Sequence, residues 1–591
     1  MQTAIAQAID TLPAGPSLLV IEAPMGEGKT EAALSCAFGT RGIYLAMPTQ
    51  ATSNALFERL ARFLEPVQAT DGLLRRPLAL AHSSGGPENA ALRLREIGMG
   101  DEERSVTAGW WFRGSKRALL CPHGIGTVDQ GLLGVLQCRH SFLRLYGLAG
   151  RTVIFDEVHA YDSYTGGLIE RLIAWLKSLG CRVVVMTATL PADRREELLM
   201  AWQGDGTPLP QSQPQDVPSA TYPRVSWVAE GVIRSTAFPA SRRQKVEFRS
   251  HPPTVEAMSG QAMAWADQGG RVLVVVNKVA RAQEIYKRLN PGIATLFHAR
   301  FPMDQRLKIE QQVLDRFGPN GSATSGHVLV ATQVAEQSLD IDFDVLLTDP
   351  APIDLLLQRQ GRIHRHPRNR QQGFEQPVVH VADMEAITPA PELTSYVYDR
   401  WLVLRSVAWL REHSVLALPE DIDRGVQAVY GDWRPNGPES LQEALEACRE
   451  KHDNDLLNMK KTAELVALEL PEDWRVCGKK TSTLEDDNVE AGNLLFGTRL
   501  GSTSVSVVPL YPTDVEEIRT RRLELVNKHF RISDPRLRKH VEETRAPAGW
   551  ESTPGLGSHR PLLLDAAGYV LNSPVVGRLD SDLGFVMGEL G

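Results

Sequence analysis

The chain has 591 residues, enough for several domains with cores of their own. Its 42% hydrophobic and 23% charged residues exclude a disordered or fibrous protein, and no apolar run approaches the length of a membrane span. A net charge of −8 excludes a surface coated in positive charge, though not a local basic channel for nucleic acid. The opening Met1-Gln2-Thr3-Ala4 has neither a basic nor an apolar signal region, so a cytoplasmic protein with no membrane partner is expected. The six cysteines include no Cys-x-x-Cys pair and are read as reduced thiols with no zinc site.

In chain order, the apolar run Leu18 to Ile21 reads as a buried strand. It feeds Glu22-Ala23-Pro24-Met25-Gly26-Glu27-Gly28-Lys29-Thr30, after which Glu31-Ala32-Ala33-Leu34 reads as the first turn of a helix. Strand, Gly-rich loop ending in Gly-Lys-Thr, then helix is the setting of a P-loop. Glycines let backbone N–H groups close around phosphates, and the helix adds its positive end. Pro24, Gly26, Glu27, Gly28, Lys29, Thr30 and Glu31 are therefore candidates for binding ATP. Lys29 would reach the β/γ-phosphates and Thr30 would hold Mg²⁺. Ala23 stands where the strict motif has Gly, and a strand–turn–helix with chance glycines competes for this stretch alone.

Residues up to 205 alternate short apolar strands (18–21, 43–46, 78–81, 152–155 and 183–186) with helical stretches, a pattern of parallel βαβ units. Val153 to Phe155 is a strand that ends in Asp156-Glu157. Asp156 suits Mg²⁺, and Glu157 suits orientation and deprotonation of water. The strand 183–186 ends in Thr187-Ala188-Thr189, hydroxyls that could relay the state of Asp156 and His159. Gly204 to Pro223 reads as a linker or exposed loop. A second α/β block is expected over 225–385, with strands at 272–276, 328–331 and 345–348. It carries Gln358-Arg359-Gln360-Gly361-Arg362-Ile363-His364-Arg365, where Arg362 and Arg365, three apart, would share a helix face as arginine fingers. A solvated basic helix is the alternative. Residues 386–485 read as a helical linker whose stripe of Trp401, Leu404, Val407 and Ala408 suits a core, and 486–591 as a small C-terminal domain.

Gly28-Lys29-Thr30, Asp156-Glu157-Val158-His159, Thr187-Ala188-Thr189 and Gln358-x-x-Gly361-Arg362-x-x-Arg365 resemble motifs I, II, III and VI of superfamily 2 helicases, in order. Thr332-Gln333 through Asp340-Ile341-Asp342 resembles motif V, and Met47-Pro48-Thr49-Gln50 resembles motif Ia. A narrower resemblance lies in Glu22 to Ala33, Gly126-Thr127-Val128-Asp129-Gln130, Asp156 to Asp162, Phe297-His298-Ala299-Arg300-Phe301 and Thr498-Arg499-Leu500-Gly501. These look like the signature helicase of type I CRISPR systems, most closely the subtype I-E branch. The resemblance implies two tandem RecA-like domains, a helical linker and a C-terminal domain. It implies an ATP-dependent motor running 3′ to 5′ on single-stranded DNA, recruited by the RNA-guided Cascade complex. It further implies nucleotide contacts at Asp340 and Gln358, and nucleic-acid contacts at Pro48, Thr49, Gln50, Thr127, Gln130, Thr332 and Gln333.

Members of that family usually carry an HD nuclease domain before the helicase, and this sequence begins shortly before the P-loop. His452-Asp453 lacks companion histidines and reads as a chance dipeptide, so nuclease activity is not expected from this chain and a separate HD nuclease is a candidate partner. A basic segment from Arg519 to Lys539 suits phosphate or protein contacts, or else a solvated face, given Glu516, Glu517 and Glu524. Trp110-Trp111-Phe112 before Arg113 suits base stacking or simple burial. The competing functions are an RNA helicase and an ATP-regulated recruitment module that does not unwind.

Overall fold

The structure is a computed structural model that describes residues 1–12, 15–37, 40–48, 60, 63, 78–81, 118–138, 141–158, 162–204, 221–229, 232–319, 321, 326–336, 339–394, 397–471, 504–553 and 555–588. Thr49, Gln50, His159, the aromatic triplet at Trp110, the 498–501 segment and most of the expected linker 204–223 lie outside them. The chain divides into two compact units. One comprises Met1–Arg243, Pro419–Gly431 and Glu450–Leu500; the other comprises Gln244–Leu418, Asp432–Arg449 and Gly501–Gly591.

The first unit is built on eight strands: β1 (Ser17–Glu22), β2 (Ile43–Met47), β3 (Leu78–Ala81), β4 (His123–Thr127), β5 (Thr152–Asp156), β6 (Arg182–Thr187), β7 (Arg224–Ala229) and β8 (Val232–Ala237). Their order is β3-β4-β2-β5-β6-β1-β7-β8. The six strands from β3 to β1 run parallel, and β7 and β8 close one edge antiparallel. The apolar runs are continuous because both faces are covered. Leu18, Val20, Val153, Phe155, Val183 and Val185 face one core, while Leu19, Ile21, Ile154, Val184 and Met186 face the other. Successive side chains on a strand point to opposite faces, so alternation sorts each run into two cores. The helix Ser163–Ser178, capped by Asp162 accepting from the Thr165 N–H at 2.8 Å, fills the first core with Leu168, Ile169, Leu172 and Ile173.

Two expectations about boundaries change here. Residues 224–237, expected to open the second block, complete the first sheet through β7 beside β1. The expected helical linker is not a body of its own. Its helix Glu420–Tyr430 belongs to the first unit, and the long helix Glu439–Val466 is divided between the two units.

The second unit holds β9 (Gln244–His251), β10 (Arg271–Val275), β11 (Ala294–Phe297), β12 (His327–Ala331), β13 (Val345–Thr348), β14 (Val378–Ala382) and β15 (Val415–Leu418). The order is β11-β12-β10-β13-β14-β9-β15, parallel except for β15. The helix Arg400–Glu412 packs Leu404 and Ala408 on Leu441 and Leu445, the core role its stripe predicts. The C-terminal part adds a small sheet of β16 (Val505–Leu510), β17 (Phe530–Ile532) and β18 (Arg560–Leu563), and a hairpin of β19 (Val576–Asp580) and β20 (Gly584–Gly588). Its basic segment is largely neutralised: Arg521 pairs with Asp514 and Glu524, and Lys528 with Glu524. That favours the solvated-face alternative for this stretch.

A buried ion network holds the end of β1. Glu22, 0% exposed, accepts from Arg224 at 2.8 Å at both oxygens and from Arg195 at 3.1 Å. Arg224 also donates to Asp423 at 2.8 and 3.0 Å. Gln427 extends the network, donating to Asp423 at 3.0 Å and to the Leu190 carbonyl at 2.9 Å. Arg224→Ala would take the two shortest bonds from the buried Glu22 carboxylate and leave it to Arg195. A loss of about 3–5 kcal/mol is expected, as when one member of a buried pair is removed. Urea unfolding followed by circular dichroism checks this; a midpoint and slope equal to wild type would contradict it.

Candidate nucleotide and nucleic-acid site

Sheet register assembles the site in the first unit. Asp156 on β5 pairs with Met186 on β6, and Met186 pairs with Ile21 on β1. Adjacent strands lie about 4.8 Å apart, so Asp156 stands about 10 Å across the sheet from the residue just before the loop. Both lie at carboxyl ends of parallel strands, where open α/β sheets place their ligands. The Ala23 N–H donates to the Thr187 carbonyl at 3.1 Å, so β6 sets where the loop leaves the sheet. Thr187 Oγ1 donates to the Thr189 carbonyl at 2.6 Å, and Tyr222 donates to the Ala188 carbonyl at 2.7 Å. The Thr187 and Tyr222 hydroxyls therefore fix the backbone of this turn.

The loop conformation depends on its glycines. Gly26 and Gly28 have φ of 87° and 78°, the left-handed region that side chains disfavour. No atom lies within 4 Å of where a Gly26 Cβ would stand, which leaves backbone N–H groups accessible there. The helix Lys29–Ser35 starts directly after, with Thr30 as its second residue. Lys29 is only 9% exposed and donates from Nζ to the Ala23 carbonyl at 2.8 Å. Its ammonium thus lies folded across the loop it would serve. The Glu27 carboxylate is turned onto Ser241, accepting from its N–H at 2.9 Å and its hydroxyl at 2.9 Å. Glu157 has φ of 53°, an unusual backbone for a residue with a side chain, directly after the 8%-exposed Asp156. Such strain concentrates at functional positions. A Lys and a Thr hydroxyl on an open glycine loop, with an Asp and a Glu at the end of a nearby strand, form a donor set that fits a nucleoside triphosphate with a hard cation.

In the second unit the arginine cluster departs from its expected form. The helix Ile353–Gln360 ends before Arg362, so Arg362 and Arg365 do not share a helical face. After Gly361 the chain pairs Ile363 with Phe343 in a bridge instead. Arg362 is 1% exposed and donates to the carbonyls of Leu339 at 2.6 Å and Glu336 at 2.7 Å. Arg365 is more open and meets Asp340 at 2.7 Å, with His366 at 3.0 Å from the same oxygen. The solvated-helix alternative fails too. Arg359 is fully buried, with donors on Glu336 at 2.7 Å, Thr348 at 2.7 Å and Asn277 at 3.1 Å. Arg368 and Arg370 pair with Asp342 at 3.2 and 2.9 Å. Burial raises the Glu336 pKa, against the opposing pull of Arg359.

The candidate nucleic-acid residues divide by exposure. Thr127, Gln130 and Thr332 are buried, whereas Pro48 and Gln333 are half-buried. Gln333 donates to the Asn277 carbonyl at 3.0 Å. Gln358 is buried within its helix. Sequence reasoning missed Glu22, Arg195, Arg224 and Asp423. A carboxylate closing an apolar run was the available signal for Glu22; its partners are scattered along the chain and carried none. Lys29→Ala is expected to abolish ATP turnover while thermal unfolding shifts by at most a few degrees, because the lost bond is one of many and the deleted charge needs no partner. A turnover assay alongside a melting curve checks both parts, and turnover near the wild-type rate would remove Lys29 from the site.

Comparison with known proteins agrees with this geometry. Residues 268–368 match the family described as CRISPR-associated nuclease/helicase Cas3, C-terminal. The chain is 36% identical to a CRISPR-associated endonuclease/helicase Cas3 of Thermus thermophilus, covering 93% of this chain and 67% of that protein. It is 34% identical to the protein of the same description from Escherichia coli, over 73% of this chain and 50% of the relative. The crystal structure of T. fusca Cas3-ATP superposes with a TM-score of 0.85 at 29% identity, over 99% of this chain and 70% of that one. A chain in a structure described as a CRISPR RNA-guided surveillance complex, pre-nicking, gives a TM-score of 0.72 at 28% identity, over 99% and 70%. The chain thus spans between half and about two thirds of these relatives' length. These likenesses bear out the expected α/β fold with two RecA-like parallel sheets, and the chain belongs to the Cas3 family of CRISPR-associated helicases and nucleases.

Proposed function

We propose that this chain hydrolyses ATP to move 3′ to 5′ along single-stranded DNA. It would act as the helicase of a type I CRISPR interference system, brought to its target by the RNA-guided Cascade complex. The observation that carries this reading is the rung Asp156–Met186–Ile21, which sets a carboxylate pair beside a glycine-shaped loop. Support comes from relatives solved as Cas3-ATP, Cas3-ADP and Cas3-AMPPNP, and from the likeness to a chain of a surveillance complex.

Residue roles follow from chemistry. Backbone N–H groups of Gly26 to Thr30 cradle the phosphates, and Lys29 swings from the Ala23 carbonyl to the terminal ones. Thr30 and Asp156 would hold Mg²⁺, which supplies charge neutralisation at the phosphates. Glu157 orients water and accepts its proton; its left-handed backbone aims the carboxylate independently of Asp156. Pro48, Thr49, Gln50, Thr127, Gln130, Thr332 and Gln333 serve the DNA path. No nuclease chemistry is assigned to the described residues, so DNA cleavage would be supplied by an HD nuclease module.

Arg362 and Arg365 are the fingers in this reading, with unequal burdens. Arg362 must first leave two carbonyls, so its removal takes a donor from Glu336 and Leu339 as well as lowering turnover. Arg365 exchanges a partly exposed ion pair with Asp340 for phosphate. Arg365→Ala is therefore expected to lower DNA-stimulated turnover by about 10³-fold or more while nucleotide affinity stays near wild type. ATPase rates of wild type and variant against single-stranded DNA, RNA and no nucleic acid test the whole proposal. Stimulation by single-stranded DNA, lost in the variant, supports it. Preference for RNA would redirect the substrate, and indifference to both would leave a recruitment module.

A further inference from the structure

The His298 of Phe297-His298-Ala299-Arg300-Phe301 is 0% exposed and has both ring nitrogens engaged. Its Nε2 donates to the Leu583 carbonyl at 3.0 Å, and its Nδ1 accepts from the Arg300 N–H at 3.2 Å. A carbonyl can only accept and an amide N–H only donate, so the ring is the neutral Nε2–H tautomer. Burial, which pushes its pKa down to about 3, keeps it neutral. The ring stacks on Phe301 with centroids 4.4 Å apart.

The C-terminal hairpin meets the same turn again and is held by neighbouring helices as well. Phe585 N–H donates to the Arg300 carbonyl at 3.0 Å. Gln283 Nε2 donates to the carbonyls of Leu583 at 2.8 Å and Phe585 at 3.2 Å. Gln305 donates to the Ser581 carbonyl. Gly584 permits this approach: a Cβ there would stand 2.9 Å from His298 Cε1 and 3.0 Å from Phe301 Cδ1, and its φ is +68°. On the other side of the turn, the Phe297 carbonyl accepts the Thr332 N–H at 3.3 Å. One chain of contacts thus runs from β20 through His298 to Thr332.

We propose that the hairpin β19–β20 is a positioning element of the motor, with His298 as the positioning residue that sets Thr332 and the 297–301 turn for the nucleic-acid strand. His298 does no chemistry in this scheme; it transmits the hairpin's position to the carboxyl ends of β11 and β12. The proposal rests on the DNA-motor reading for its consequence, but its structural half can be judged separately.

The test uses the full chain as wild type, His298→Ala, His298→Gln and Gln283→Ala, read by hydrogen exchange and by DNA-stimulated ATPase. Exchange at Thr332 and across 297–301 should accelerate in both alanine variants. The DNA concentration for half-maximal stimulation should rise about tenfold, the scale of one buried hydrogen bond left unmade. Fluorescent ATP-analogue affinity should hold. His298→Gln, whose amide can still reach Leu583, should recover part of the loss. If His298→Ala fails to fold, Gln283→Ala decides, because it loosens the hairpin without altering the turn. Wild-type protection at Thr332 in folded alanine variants, or an unchanged DNA half-saturation, overturns the proposal. A wild-type ATPase indifferent to DNA would instead sink the motor reading, and exchange at Thr332 would still judge the hairpin's role.

Discussion

The parallel register of three strands is the constraint on which the site depends. β5, β6 and β1 are locked so that Asp156, Met186 and Ile21 share one rung. Their side chains are buried on both faces, so a slip of one residue would exchange the contents of two cores. That penalty sustains a loop with two left-handed glycines and a strained Glu157 directly beyond the strand ends. The network of Glu22, Arg195, Arg224 and Asp423 holds the same end of β1 from the opposite side. Core packing and buried ion pairing therefore both act on the few residues that would meet phosphate.

The second unit solves a different problem, the burial of many guanidiniums. Arg359, Arg362, Arg368 and Arg370 lie within one short stretch, and each is matched to carboxylates or carbonyls. An unpaired buried charge costs several kcal/mol, so the pairing fixes the loop conformations around Asp342 and Glu336. Arg365 stands apart by its exposure, its guanidinium meeting the partly exposed Asp340 carboxylate. An ion pair open to water contributes little net stability, so exchanging it for a ligand costs little.

The sequence was most readable where local composition decides structure. β1, β5 and β6 are continuous apolar runs because both of their faces are covered, and each closes on a polar residue, Glu22, Asp156 and Thr187. β7 and β8 were less readable: they form an edge hairpin whose partner β1 is remote in sequence, so their assignment to the first sheet rests on tertiary pairing. Residue type and spacing singled out Arg362 and Arg365, yet helical geometry failed for them. Gly361 favours a helix end, and the bridge between Ile363 and Phe343 draws the chain into extended structure. Burial of Lys29 was invisible for a similar reason, since its carbonyl partner exists only once the loop has folded.

The central claim is that the carboxyl end of β5 divides labour between two adjacent carboxylates, Asp156 for the cation and Glu157 for water. Equilibrium binding of ATP and its steady-state turnover, measured on Glu157→Gln, address that division directly. The account predicts a variant that binds ATP with Mg²⁺ as tightly as wild type and releases almost no phosphate, because the amide keeps the shape of the carboxylate but cannot accept a proton. Turnover at the wild-type rate, or loss of ATP binding together with turnover, would contradict it.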